Sequence, residues 1–214
     1  MLGPWFLTLI VSLLSASTCF ADFTEQHVWT FDDVPPGKLP PDFSELGNRG
    51  PHWAVIGTEK AVSRPNVLAT GKPYRTTHHP AIMLVNQRTG EDDFELAVSF
   101  LTATNKAGAT SGLIWRAQDE RNYYLFQVSP LGPNNLALYQ VVNGVRNQLD
   151  VATRPFDQSE WHTLWVVVLS DRFVATLDGR PVLDARDPEF RNGRFGLWSS
   201  GFTYFDNLSL KRLK

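Results

Sequence analysis

The chain alternates apolar and polar residues with a period of two over many short runs. Between Phe94 and Phe100 every second residue is apolar and those between are polar or small, a pattern typical of a half-buried β-strand. Similar runs predict further strands at 53–56, 81–85, 113–116, 123–128, 136–142, 145–149, 161–169, 173–177, 181–183, 195–198 and 202–210. The pattern therefore predicts an all-β chain of about a dozen strands, most simply a two-sheet antiparallel jelly-roll sandwich.

Turn residues between these runs indicate hairpins. Asn143-Gly144 separates two predicted strands, and Asp178-Gly179 separates two others. Asn-Gly between β-forming residues favours a type I′ turn because both residues tolerate a positive φ. Residues 33–52 carry five prolines and three glycines, which predicts an irregular crossing within the domain.

The N-terminus has a different composition from the rest of the chain. An apolar run from Trp5 to Leu14 precedes small residues and Ala21, which predicts a signal peptide over 1–21 cleaved after Ala21. No basic residue precedes the run, so an uncleaved anchor is the alternative. Thr18 fits lipidation of Cys19 poorly. We expect 22–214 to form a single β-sandwich domain in a secreted or periplasmic protein.

Charge narrows the range of partners. The formal net charge is −2, and the 20 basic and 22 acidic residues are interleaved. Such a chain lacks the basic patch or block expected for nucleic acid or a membrane surface, so we expect neither partner after signal cleavage. Seven Trp, five Tyr and 14 Phe suit both a sandwich core and stacking on sugars. The oligomeric state is left open by the sequence.

Four longer segments carry a family resemblance: SGLIWRAQDERNYYLFQV, NNLALYQVVNGVRNQLDVA, EWHTLWVVVLSDRFVATLDGRPVLDARDPEF and GRFGLWSSGFTYFDNLSL. They contain WH, DG, D-x-x-F, GLWS and FDN in that order. The chain resembles the concanavalin A-like lectin/glucanase superfamily, closest to laminin-G-like jelly rolls grouped with the 3-keto-disaccharide hydrolase domain. The resemblance implies this fold and an association with carbohydrate, in a family that includes both enzymes and binding modules.

The segment GEDDFEL, residues 90–96, spaces three carboxylates as E-x-D-x-E. Family 16 glycoside hydrolases use this spacing on the same fold for a retaining mechanism. Glu91, Asp93 and Glu95 match it, but Asp92 would occupy a position that those enzymes fill with a buried apolar residue. We therefore expect Glu91 and Glu95 to be solvated and unpaired, and we predict no catalytic residue.

A sugar-binding face is predicted around Arg116. A hairpin closed over AQDERN would place Trp115 beside Tyr124, and Arg116 beside Tyr123 on the opposite, polar face. A guanidinium offers five donors to sugar hydroxyls, and a phenol ring offers a flat apolar platform. The predicted substrate-binding residues are Arg116, Tyr123, Gln127, Tyr139 and Trp198. The alternatives are an arginine that snorkels over an exposed aromatic ring and, for Tyr139 and Trp198, ordinary core aromatics.

A structural Ca²⁺ is predicted from the two ends of the domain. Asp32 in TFDD and Asp206 in YFDN follow phenylalanines that we expect to point inward, so the two carboxylates would point outward. Sandwiches that resemble this one join their terminal strands through Ca²⁺, a hard ion that prefers oxygen ligands. Ordinary edge carboxylates are the alternative.

Function follows as three hypotheses. The leading one is a carbohydrate-binding sandwich without its own catalytic centre. The second is a glycoside-cleaving enzyme of the 3-keto-disaccharide hydrolase type, and the third is an adhesion or assembly domain that binds protein. Few paired acids fall inside predicted strands, which favours binding over catalysis.

Overall fold

The computed structural model describes residues 25–46, 53–70, 80–90, 93–102 and 110–213. The predicted signal peptide, 1–21, lies outside these ranges. The described strands are β1 (Gln26–Trp29), β2 (Phe43–Leu46), β3 (Trp53–Gly57), β4 (Asn66–Thr70), β5 (Ala81–Arg88), β6 (Phe94–Thr102), β7 (Ser111–Asp119), β8 (Asn122–Val128), β9 (Leu136–Val142), β10 (Val145–Ala152), β11 (His162–Leu169), β12 (Arg172–Leu177), β13 (Arg180–Arg186), β14 (Arg194–Ser199) and β15 (Thr203–Arg212). Within those ranges no helix has the length and apolar character needed to cross a membrane.

The strands form two antiparallel sheets. The eight-stranded sheet has the order β13-β12-β11-β6-β15-β4-β3, and β1 also pairs with β15. The seven-stranded sheet has the order β10-β9-β8-β7-β14-β5-β2. The predicted all-β, two-sheet jelly-roll sandwich is confirmed.

The main core lies between the sheets. Alternate residues of β6, from Phe94 to Phe100, are buried there and face the apolar positions of β7 and β8. Trp115 pairs with Tyr124 across the β7–β8 hairpin, and their rings stack with centroids 5.7 Å apart. The sequence predicted this pair correctly, because alternation and hairpin register agree up to Trp115.

A second apolar cluster occupies the other side of the seven-stranded sheet, which we call the outward face. Ile114 and Leu125 belong to it, whereas their neighbours along each strand belong to the main core, as the alternation of side chains in a strand requires. The cluster comprises Ile82, Leu84, Ile114, Ala117, Tyr123, Leu125, Val141 and Trp198. This face carries the candidate site.

Three strands, β1, β2 and β4, were not among those predicted from the alternation of apolar and polar residues. β2 lies inside the segment predicted to be irregular, where Phe43 is buried and pairs with Val85 at the sheet edge. Edge strands need few residues and tolerate flanking prolines. The prediction also missed β4, in which all five residues are buried, because a strand buried on both faces has no apolar–polar alternation.

Candidate functional site

Five side chains converge on the outward face of the seven-stranded sheet. Arg146 donates from Nη1 to Oε1 of Gln127 at 2.9 Å. Its guanidinium carbon lies 5.0 Å from the ring centroid of Trp198 and 5.6 Å from that of Tyr139, both within the range of a cation–π contact. Tyr123 packs in the same cluster as Trp198. We call Tyr123, Gln127, Tyr139, Arg146 and Trp198 the Arg146 site.

The β9–β10 hairpin positions Arg146. Asn143 and Gly144 both have positive φ values, 53° and 83°, as the predicted type I′ turn requires. The turn sets Arg146 opposite Val141, so Arg146 shares the outward face with Tyr139. Arg146 was not predicted from the sequence, although counting outward from Asn143-Gly144 along both strands would have placed it on the same face as Tyr139.

The five side chains of the site differ in exposure: two are buried beneath it, and three are accessible to a ligand. Tyr123 and Trp198 are only 3% and 2% exposed, so their rings support the site from below. Gln127 and Tyr139 are half-buried and Arg146 is exposed. Burial raises the pKa of the Tyr123 phenol, and the charge of Arg146 partly opposes that rise. A ligand would therefore meet a guanidinium, an amide and one phenol ring.

Arg116 is not part of this surface, and its predicted place on the polar face is wrong. The register of β7 against β8 shifts after Trp115, and Arg116 has a φ of 50°, so the bulge turns its side chain towards the main core. The residue is 2% exposed, and its guanidinium carbon lies 5.8 Å from the ring centroid of Phe173. A bulge reverses the alternation on which the prediction rested.

Arg116 instead supports the loop between β13 and β14. Its Nη1 donates to the carbonyl of Phe190 at 3.1 Å, and the amide of Phe190 donates to the hydroxyl of Tyr124. That hydroxyl donates to the Asp187 carboxylate, which also accepts from Gln140. Burial and the Asp187 hydrogen bond raise the pKa of Tyr124. The D-x-x-F motif, Asp187 to Phe190, thus fastens this loop to the seven-stranded sheet.

The Asp206 carboxylate does not fit the predicted Ca²⁺ ligand. It is fully buried and accepts hydrogen bonds from the amides of Val62, Ser63 and Asn207 and from the hydroxyl of Ser63, at 2.8–2.9 Å. Both oxygens already face two donors each, whereas a calcium site presents oxygen ligands to the ion. Among the described residues no group of three or more His, Cys, Asp or Glu side chains could hold a metal.

Asp32 contributes to the same part of the fold. Its Oδ1 accepts from the amide of Asn66 at 3.0 Å, and its carbonyl accepts from the Asn66 side chain at 3.0 Å. The segment 58–66 is therefore held by Asp32 at one end and by Asp206 near its middle. Hydrogen bonds to this segment perform the fastening role that the prediction assigned to a metal.

Two carboxylates of GEDDFEL, those of Asp93 and Glu95, have partners in other parts of the fold. Glu91 and Asp92 lie outside the described residues. Asp93 accepts from the amide of Ser170 at 2.6 Å, and Glu95 lies 3.4 Å from the ammonium of Lys211 on the neighbouring strand. The prediction that Glu95 is unpaired is wrong, because cross-strand register sets Lys211 directly opposite it.

His162 connects two turns. Its Nδ1 lies 2.8 Å from Oδ2 of Asp178, its Nε2 lies 2.5 Å from the carbonyl of Asp157, and the Asp178 carboxylate also accepts from the amide of Thr163. The ring packs against Phe156. The His162 of WH and the Asp178 of DG thus contact each other at the start of β11.

A cleft of about 590 Å³ lies where β10 meets β12 and β13, lined by Leu149, Arg172, Asp184, Ala185 and Arg186. Arg172 binds Asp184 through two nitrogens at 2.9 and 2.6 Å, and Arg186 contacts Asp171 at 2.7 Å. Each arginine that lines the cleft is therefore paired with an aspartate. The Arg146 site, in contrast, holds a cation beside neutral partners.

Comparison with known proteins relates these features to a family. The model of the 3-keto-alpha-glucoside-1,2-lyase-like domain matches residues 51–211. No curated protein gives a significant sequence match.

Solved structures share the fold at low sequence identity. The carbohydrate-binding module CBM66 from Bacillus subtilis has a TM-score of 0.64 and 20% identity over 79% of this chain and 95% of its own. A Bacillus subtilis protein with a galectin-like fold has a TM-score of 0.57 and 7% identity over 80% and 89% of the two chains. The Bacteroides ovatus protein Xyloglucan PUL GH43B has a TM-score of 0.59 and 11% identity over 87% of this chain and 38% of its own.

Proposed function

The chain belongs to the 3-keto-alpha-glucoside-1,2-lyase-like domain family, and from that premise we propose that it is a carbohydrate-binding β-sandwich protein that binds its ligand at the Arg146 site. The observation that carries the proposal is the convergence of Gln127, Tyr139 and Arg146, from three adjacent strands, on one sheet face. The amide and guanidinium can donate to sugar oxygens, and the phenol ring can pack against a pyranose.

The comparisons support the choice of carbohydrate. The CBM66 module that shares this fold is named as a carbohydrate-binding module, and the chain covers 95% of it. The family description names a glucoside as the substrate of its lyase. The apolar run before Ala21 supports export, so we place the protein in a secreted or periplasmic setting, where polysaccharides are accessible to it.

A glycan array followed by calorimetric titration of the best hit tests the proposal. Tyr139→Ala should weaken binding about tenfold, the effect expected for losing an aromatic contact and its area. Tyr204→Ala is the matched control, since Tyr204 is also half-buried but lies on the outer side of the eight-stranded sheet. Equal losses in both variants, or no array hit, would contradict the proposal.

A glycoside-cleaving role is the second candidate, because the matched family is described by a lyase reaction. Incubating the protein with a 3-keto-α-glucoside and with each array hit, and following product release by mass spectrometry, separates the two roles. Release that depends on Tyr139 would assign cleavage to the Arg146 site. Binding without release would assign a binding module.

A further inference from the structure

The positive charge of Arg146 bears on which class of saccharide the site binds. We infer that the site takes an anionic saccharide, one that carries a carboxylate or sulfate group, and that Arg146 binds that group. The inference rests on the proposed function, because it concerns the ligand of the same face. It goes further by choosing acidic over neutral sugars.

The first support is that, among the described residues, the guanidinium of Arg146 has no acidic partner. Within the described parts of the chain, the guanidinium of Arg146 makes its hydrogen bond to the neutral amide of Gln127 and otherwise lies over two aromatic rings. Two arginines of the neighbouring cleft are paired with acids: the half-buried Arg172 contacts Asp184 and the exposed Arg186 contacts Asp171. The Arg146 site therefore leaves a positive charge for a ligand to neutralise.

The second support is the composition of the surrounding face. On the described strands β8, β9, β10 and β14, the outward positions near the site are apolar, aromatic or amide residues, and none is Asp or Glu. The one acid of β10, Asp150, pairs with inward-facing Leu138 and accepts from the amide of Asp184. A ligand anion placed over Arg146 would thus meet no carboxylate of these strands.

The third support is donor geometry. Because Oε1 of Gln127 accepts from Arg146, its Nε2 group is oriented as a second donor. The remaining N–H groups of the guanidinium form a planar fork. This fork can donate two parallel hydrogen bonds to a carboxylate or a sulfate. The rings of Tyr139 and Trp198 hold that fork in place. The site offers several donors and a fixed cation, which suits an acceptor-rich anion.

The experiment compares ligands that differ only in charge. The protein is titrated with oligogalacturonate and its methyl ester, and with a sulfated galactan and its desulfated form. We expect at least one acidic member to bind at least tenfold more tightly than its neutral counterpart, with an affinity that falls as ionic strength rises from about 0.05 to about 0.3 M. The two pairs distinguish a carboxylate from a sulfate as the recognised group.

Variants assign the effect to Arg146. Arg146→Gln should lower affinity for the acidic ligand about tenfold to a hundredfold and lower affinity for the neutral counterpart by a smaller factor, so that the preference for the acidic ligand is lost. Arg146→Lys should retain part of the affinity, since it keeps the charge without the fork. Arg180→Gln, an exposed arginine on β13, is the control. Melting curves check that each variant is folded, and the salt dependence of the unmodified protein tests the inference without any variant.

The outcomes separate this inference from the proposed function. Equal binding of acidic and neutral members, abolished by Tyr139→Ala, would overturn the acidic class and keep carbohydrate binding at the site. Acidic preference that survives Arg146→Gln would also overturn the inference. Failure of every glycan to bind would overturn both.

Discussion

The carboxylate of Asp206 accepts hydrogen bonds from both the amide and the hydroxyl of Ser63, a residue 143 positions earlier in the chain. Asn207 and Val62 supply two further amide donors. Burial raises the pKa of Asp206, and these donors oppose the rise by stabilising the ionised carboxylate. The final strand is thereby joined to the segment that precedes β4.

Removing this carboxylate should be costly. Asp206→Ala leaves several buried donors without an acceptor, and we expect a loss of about 3 kcal/mol in the free energy of unfolding. Chemical denaturation measures it, with Asp33→Ala, an exposed aspartate near Asp32, as the control. Calcium should not raise the melting temperature, because Asp206 already faces N–H and O–H donors. A loss below about 1 kcal/mol, or a calcium effect removed by a chelator, would contradict this account.

Arg116 should act on stability and not on ligand binding. It is buried, packs near Phe173 and donates to Phe190. Arg116→Ala should therefore lower the free energy of unfolding by about 3 kcal/mol while the affinity for the best glycan hit stays within twofold. Denaturation and titration of the same preparation measure both quantities. A weakened affinity with unchanged stability would return Arg116 to the binding surface.

The sequence was most informative where alternation and turn type act together. Two-residue turns such as Asn143-Gly144 define the register of both neighbouring strands, and closing a hairpin over AQDERN placed Trp115 opposite Tyr124, so most strands and this pair were predicted correctly. The bulge after Trp115 was not predictable, because the extra residues of β7 leave no signal in the local apolar pattern. The partners of Asp206 were equally hidden, since a contact between residues so distant in sequence depends on the tertiary fold.

The Arg172–Asp184 pair should show a defined pH dependence. Hydrogen bonds from Arg172 hold the pKa of the Asp184 carboxyl below its ordinary value of 3.8. A depressed folded-state pKa contributes stability above the unfolded value, and that contribution is lost as the pH falls through the folded value. In Arg172→Gln, NMR titration should show the Asp184 pKa rising towards 3.8.

Asp157 provides an internal control for that titration. Hydrogen bonds from Ser159 lower its pKa, so the Asp157 value should stay below the ordinary one in both proteins. An Asp184 pKa that does not move in Arg172→Gln would show that the two side chains do not form this pair in solution.

β14 has no room for a side chain at Gly196. A Cβ atom there would overlap the carbonyl oxygen of Met83 and lie 2.8 Å from the Cα of Leu84. Both are backbone atoms of β5, so a rotamer change cannot relieve the clash, and β14 would have to separate from its neighbour. Because Trp198 lies two residues further along the same strand, the support beneath Arg146 would move as well.

Gly196→Ala should therefore lower the free energy of unfolding by about 3 kcal/mol or more and weaken glycan binding in the fraction that remains folded. Gly57→Ala is the matched control, since its added Cβ would meet the side-chain oxygen of Asn66 at 3.5 Å, an ordinary contact. Chemical denaturation of both variants measures the two losses in the free energy of unfolding. Similar stabilities of the two variants would contradict the close approach of β14 to β5 at Gly196. They would also contradict the rigid support that β14 gives to Arg146 through Trp198.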